Sequence, residues 1–129
     1  MATVSFDFDS CLWDESQQWF IGETVSLLRE HIENGDRVII CTSRVQIWAN
    51  EARELLAKHL KLDLEVFSCP GNADDWMDGD PTKSDVLVAQ QVIKHFDDLP
   101  NDSGLLLAKN SGIEVLLPPA TKATITSMY

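Results

Sequence analysis

The chain has 129 residues, 44% hydrophobic and 24% charged, proportions that exclude a disordered or fibrous polymer and fit one folded domain. Its 21 acidic side chains against 10 basic ones give a formal net charge of −11. That balance excludes a broad electrostatic grip on nucleic acid, which needs many phosphates neutralised by Lys and Arg.

In chain order, residues 4–8 read as a strand with an apolar residue before each acid. The connection over residues 12–20 carries Trp13 and Trp19. Residues 21–34 read as a helix, with Ile21, Val25, Leu28 and Ile32 at helical spacing and Gly35 as its stop. Residues 38–41 are a continuous apolar run, suited to a strand buried on both faces of a parallel sheet. A second helix is predicted over residues 47–60, with Trp48, Leu55, Leu56 and Leu60 facing inward, and a third strand over residues 64–67, with Phe67 in the core. The next connection, residues 69–81, holds Gly71, Gly79 and four aspartates; its length marks it as a functional loop. Thr82 reads as an N-cap for a helix running towards Val92. Strands over residues 93–96 and 113–117 flank a short helix at about residues 102–109. Pro118-Pro119 ends the pattern, leaving residues 118–129 as a loosely attached tail.

This strand–helix alternation predicts an α/β fold over residues 1–129, a three-layer, Rossmann-like arrangement around a five-stranded parallel sheet. Ligands in such folds sit beyond the carboxyl ends of the strands. Cys11, Cys41 and Cys69 cannot all pair within one chain and show no C-x-x-C spacing, so a reduced, cytoplasmic setting is expected. The amino terminus lacks the basic start and long apolar segment of a secretion signal, and the longest apolar runs are far too short to cross a bilayer, so no membrane partner is expected.

Four groups of polar residues fall at the expected strand and helix ends. The first strand runs out into Asp7 and Asp9, either a solvated terminus or a nucleophile paired with a proton donor. The second ends in Thr42-Ser43-Arg44, either an N-cap or donors for phosphoryl oxygens. Lys83 opens a helix where the dipole disfavours a cation, which suggests a nearby anion, with Asp85 placed to orient it. The fourth strand ends in Asp97-Asp98, while Asp102 reads as a cap. If Asp7, Asp9, Asp97 and Asp98 converge, each close pair repels by about 4 kcal/mol at about 4 Å and a dielectric of about 20. One lysine cannot offset several such repulsions, so either protons are retained or a divalent cation is held; hard oxygen donors suit Mg²⁺. Trp13, Trp19 and Trp76 are candidates for stacking or plain packing. His95 reads as a satisfied interior histidine, and Cys11 lacks an activating partner.

In this order the four groups resemble the motifs of the haloacid dehalogenase-like phosphohydrolase superfamily, over about residues 4–117. The resemblance implies Asp7 as the nucleophile that forms an aspartyl-phosphate and Asp9 as general acid and then base. It further implies phosphoryl contacts from Thr42, Ser43, Arg44 and Lys83, and Mg²⁺ held by Asp7, the carbonyl of Asp9, Asp97 and Asp98. The family pattern has Gly-Thr after the second Asp, where this chain has Ser10-Cys11. The spacing between motifs leaves no room for a cap domain. Within the superfamily, Thr42-Ser43-Arg44, Asp80-Pro81-Thr82-Lys83-Ser84-Asp85 and Phe96-Asp97-Asp98 are similar to the 3′-phosphatase domain of bacteriophage-type polynucleotide kinase/phosphatases. The implied activity is Mg²⁺-dependent hydrolysis of a phosphomonoester on a small molecule, nucleotide or nucleic-acid end. The rivals are a phosphorylatable receiver-like module, disfavoured because the third strand ends without an acid, and a catalytically idle scaffold used for interaction.

Overall fold

A computed structural model describes residues 1–71 and 79–121. Trp76, most of the long connection after Gly71 and residues 122–129 of the expected tail lie outside the described residues. Strand β1 (Thr3–Phe6) leads into a small hairpin, β2 (Trp13–Asp14) and β3 (Trp19–Phe20), and then helix α1 (Gly22–Glu33). Next come β4 (Arg37–Thr42), α2 (Gln46–Leu55) running on into a π turn (Leu56–Leu60), and β5 (Val66–Ser68). Helix α3 (Lys83–Ala89), β6 (Lys94–Phe96), a 3-10 turn (Ser103–Leu105) continuous with α4 (Leu106–Asn110), and β7 (Glu114–Leu116) complete the order. Among the described residues no helix is long and apolar enough to cross a membrane.

The sheet is parallel throughout, in the order β5-β4-β1-β6-β7. Side chains alternate along β4 and so divide the interior in two. Val38 and Ile40 join the cluster under α1 and α2, with Val4, Phe6 and Leu28. Ile39 and Cys41 face the other way, into the cluster under α3 and α4, with Leu87, Leu105 and Ala108. The three-layer expectation follows directly from that double burial. Because the chain moves outward from β1 to β4 and β5, then returns to β6 on the other side of β1, its topological switch point lies between β1 and β6. An open parallel sheet splays there into a crevice.

Several local expectations give way to tertiary packing. The connection over residues 12–20 is the β2–β3 hairpin: Asp14 accepts from the Ser16 backbone N–H at 3.0 Å and its hydroxyl at 2.7 Å, and Gln18 turns the chain at φ 50°. Trp13 is buried against Phe8 and Phe20, so it belongs to the core, while Trp19 remains part-exposed beside His59. On α2 the inward face is carried by Ala49 and Ala52, continued by Leu56. Trp48, expected inside, is 53% exposed, because close approach of the helix to β5 selects the small residues. Ile32 lies at the rim rather than inside, and Phe67 is only partly buried. Helix α3 ends at Ala89 rather than Val92, since Gln91 adopts φ 56° and Val92 N–H bonds back to the Leu87 carbonyl.

The α3–α4 layer is tied together by one buried hydroxyl. Ser84 Oγ donates to the Gly104 carbonyl at 2.6 Å and accepts from Ala108 N–H at 3.0 Å, which satisfies an N–H that the start of α4 would leave orphaned. Ser84→Ala strands both backbone groups away from water. The expected result is a loss of about 1–3 kcal/mol of unfolding free energy, read from urea denaturation.

Candidate active site

The turn after β1 is built around one carbonyl. Phe8 C=O accepts from the N–H groups of Cys11, Leu12 and Trp13, at 3.3, 2.9 and 2.9 Å. Ser10 adopts the left-handed conformation at φ 59°, a region that favours glycine. Ser10 thus takes up the tight turn despite its side chain. Asp7 N–H continues the ladder to the Phe96 carbonyl at 2.9 Å, and Asp97 N–H to the Leu116 carbonyl at 2.9 Å. These bonds hold Asp7 and Asp97 at the switch-point ends of neighbouring strands.

Lys83 enters from the first turn of α3. Thr82 and Asp85 form a capping box, with Asp85 N–H donating to Thr82 Oγ1 at 3.1 Å and Thr82 N–H donating to Asp85 Oδ2 at 2.9 Å. Asp85 therefore caps the helix, whereas a role in orienting Lys83 was expected. The cap offsets the helix dipole that opposes a cation at this end. Lys83 Nζ reaches Asp97 Oδ2 at 2.8 Å and Asp7 Oδ1 at 3.3 Å. Asp7 Oδ1 also accepts from Phe8 N–H at 2.8 Å. Behind them, His95 Nε2 meets Asp97 Oδ2 at 2.9 Å, and Leu99 N–H donates to Asp97 Oδ1 at 2.9 Å.

Asp7, Asp97 and Asp98 each offer an oxygen to one point, with the three atoms within 4.8 Å of one another. Burial and the neighbouring Asp97 push the Asp7 carboxyl well above its ordinary range, although Lys83 and the Phe8 N–H pull it down. Asp98 is raised too, by burial and by Asp97, against its hydrogen bond to Asp7. Asp97 goes the other way: burial is outweighed by the hydrogen bond from His95 and the charge of Lys83, which bring it down to about 2. Burial disfavours the Lys83 ammonium, but Asp7 and Asp97 more than compensate and raise it. Three carboxyls face one ammonium, so a proton or a cation must make up the balance. This all-oxygen donor set fits a hard divalent ion.

A cavity of about 280 Å³ opens over these groups, lined among others by Asp7, Asp9, Ser43, Lys83, Asp97 and Asp98. Two of the expected site residues point elsewhere. Thr42 is fully buried and accepts from Arg44 N–H at 3.2 Å. Arg44 lies over the Phe8 ring at 4.9 Å and grips Asp9 with both arms of its fork, Nε to Oδ2 at 2.9 Å and Nη2 to Oδ1 at 2.8 Å. The guanidinium is committed to a carboxylate rather than turned to the cavity, and the Asp9 carboxylate stands apart from the three-acid cluster. Asp102 lines the cavity and caps the 3-10 turn, accepting from Gly104 N–H at 3.1 Å. Cys11 is fully buried, and burial pushes its thiol up, which disfavours the thiolate a nucleophile needs. The contact between His95 and Asp97 was not foreseen, although a strand's alternation puts residues 95 and 97 on the same face, which was the available signal.

No family model matches the chain, and no curated protein sequence does. Among solved structures, the chain is similar to D,D-heptose 1.7-bisphosphate phosphatase from B. bronchiseptica, determined in complex with magnesium and phosphate. The TM-score is 0.67 at 12% sequence identity, covering 97% of this chain and 93% of that one. The shared feature is the fold, a Rossmann-like arrangement around a parallel sheet, and the described residues contain no inserted cap domain.

Because ionised Asp7 is unfavourable in the folded state, its raised pKa means stability is lost as pH rises through its folded titration. In chelator at pH 8, Asp7→Asn is expected to melt a few degrees above the wild type, the shift that about 1 kcal/mol produces in a domain of this size. The difference should shrink as pH falls through about 4 and vanish below about pH 3, where Asp7 is protonated in both states. A lower melting temperature at pH 8 would contradict the assigned electrostatics.

Proposed function

We propose that this protein is an Mg²⁺-dependent phosphatase that hydrolyses a phosphomonoester through a phosphoryl group carried on Asp7. The observation that carries the reading is Lys83 held between Asp7 and Asp97, at 3.3 and 2.8 Å, inside a cavity shared with Asp98. A buried carboxylate restrained by a lysine, beside two further acids, suits attack on phosphorus better than it suits stability. The likeness to a phosphatase bound to magnesium and phosphate supports the same reading.

Asp7, Asp97 and Asp98 would hold the Mg²⁺, with the carbonyl of Asp9. When bound, the ion supplies positive charge against the phosphoryl oxygens and the clustered carboxylates. An Asp7 carboxylate oxygen attacks phosphorus, and the bond from phosphorus to the ester oxygen breaks. Asp9, turned out of the Arg44 fork and protonated from solvent, gives that proton to the departing oxygen. Asp9 then takes a proton from a water that attacks the Asp7-bound phosphoryl group, releasing inorganic phosphate and restoring Asp7. Lys83 and Ser43, both on the cavity wall, donate to phosphoryl oxygens, and the Thr42 hydroxyl supports the turn behind them. Arg44 acts through Asp9. Both Asp9 oxygens rest in its fork, so proton transfer requires Asp9 to turn out of that pair. The acidic surface and the engagement of Arg44 favour a small phosphorylated molecule over a polynucleotide end.

Asp7→Asn should abolish turnover of a phosphomonoester panel that includes sugar phosphates, nucleotides and oligonucleotides with terminal phosphates. Acid quenching should trap one phosphoryl group on the wild type and none on this variant; trapping on both would remove Asp7 as the nucleophile. Asp9→Asn should slow alkyl phosphates by about 10²–10⁴-fold, the usual range for a general acid. It should slow p-nitrophenyl phosphate much less, since that leaving group needs no proton. Equal losses on both substrates would assign Asp9 another role.

A further inference from the structure

Behind the crevice a hydrogen-bonded chain runs through the interior. Ser5 on β1 and His95 on β6 are register partners in the sheet, and neither has any exposed surface. Ser5 Oγ lies 2.9 Å from His95 Nδ1, and His95 Nε2 lies 2.9 Å from Asp97 Oδ2. That same oxygen receives Lys83 Nζ at 2.8 Å. A carboxylate oxygen paired with an ammonium can only accept, so the imidazole proton sits on Nε2. On the neutral ring Nδ1 then accepts from the Ser5 hydroxyl at 2.9 Å. Each proton in the chain then has one place.

The consequence falls on Asp97. Its Oδ2 accepts two hydrogen bonds, from Lys83 and His95, which use both lone pairs. Its Oδ1 accepts one, from Leu99 N–H at 2.9 Å, and keeps one lone pair. A carboxylate pinned on three sides cannot rotate to offer both oxygens.

We infer that Ser5 and His95 are positioning residues for cation binding: His95, held by Ser5, joins Lys83 in filling Asp97 Oδ2 and leaves Oδ1 as the single atom Asp97 presents to Mg²⁺. This inference rests on the proposed Mg²⁺-dependent phosphatase, and no part of it requires either residue to touch substrate. Outer partners that orient a metal-binding carboxylate commonly govern affinity for the ion more than the chemistry that follows.

The test is calorimetric titration of the purified full-length chain with MgCl₂, beside the Mg²⁺ activation curve for phosphate release. His95→Phe, which keeps the ring but removes both nitrogens, should weaken Mg²⁺ binding by about 10- to 100-fold. Its kcat should recover when Mg²⁺ is saturating, with KM for the phosphomonoester little changed. His95→Gln, which restores a donor towards Asp97, should recover much of the affinity. Ser5→Ala removes only the outer hydroxyl and should give a smaller loss; it carries the test if His95→Phe does not fold. Wild-type Mg²⁺ affinity in both His95→Phe and Ser5→Ala would overturn the inference, as would a fall in kcat at saturating Mg²⁺ with affinity unchanged. So would a wild-type chain that binds no Mg²⁺. A wild type that binds Mg²⁺ and loses affinity in these variants, yet releases no phosphate from any ester, would uphold the inference and sink the phosphatase reading alone.

Discussion

One ammonium group, that of Lys83, stands between two buried carboxylates on neighbouring strands. Without it, Asp7 and Asp97 would face each other with Asp98 close by, in a place where water screens them poorly. With it, the pocket still carries an excess of negative charge. The two buried acids behave oppositely: the donors on Asp97 outweigh its burial and bring it down, while burial, with Asp97 beside it, drives Asp7 up. The cluster so arranged could hold a metal ion, and the charge it gathers works against the stability of the empty protein.

The fold supplies the geometry at little cost in length. A parallel sheet with β1 at its centre sends the first and fourth of its strands, in chain order, out side by side, and their ends converge where the connections diverge to opposite faces. Helix α3 then delivers a cation from a position its own dipole disfavours. The Thr82–Asp85 capping box offsets part of that penalty, and the two carboxylates offset the rest. On the far side of Asp97, Ser5 and His95 occupy the sheet face opposite the Phe6 and Phe96 stack, so packing on one face and polar order on the other depend on the same two strands.

Arg44 shows how a residue type can suggest one partner and find another. A guanidinium after a strand end is well suited to phosphate, yet here a bidentate carboxylate lies closer and matches its fork equally well. The pairing places Asp9 at the edge of the three-acid cluster and extends the polar surface towards Glu15, Glu51 and the exposed Trp48.

The order of the elements, the double burial of β4, the cap at Thr82 and the acids at the ends of β1 and β6 were legible in the sequence, because each rests on local pattern: alternation, helical spacing, capping chemistry and the polar residue after an apolar run. Trp48 on the outside, Trp13 inside, the β2–β3 hairpin, the grip of Arg44 on Asp9 and the wiring of His95 to Asp97 were decided only by tertiary structure. In each of these cases, several partners of similar chemistry compete for one side chain. The winner is set by distances between segments far apart in the chain, which no local pattern records.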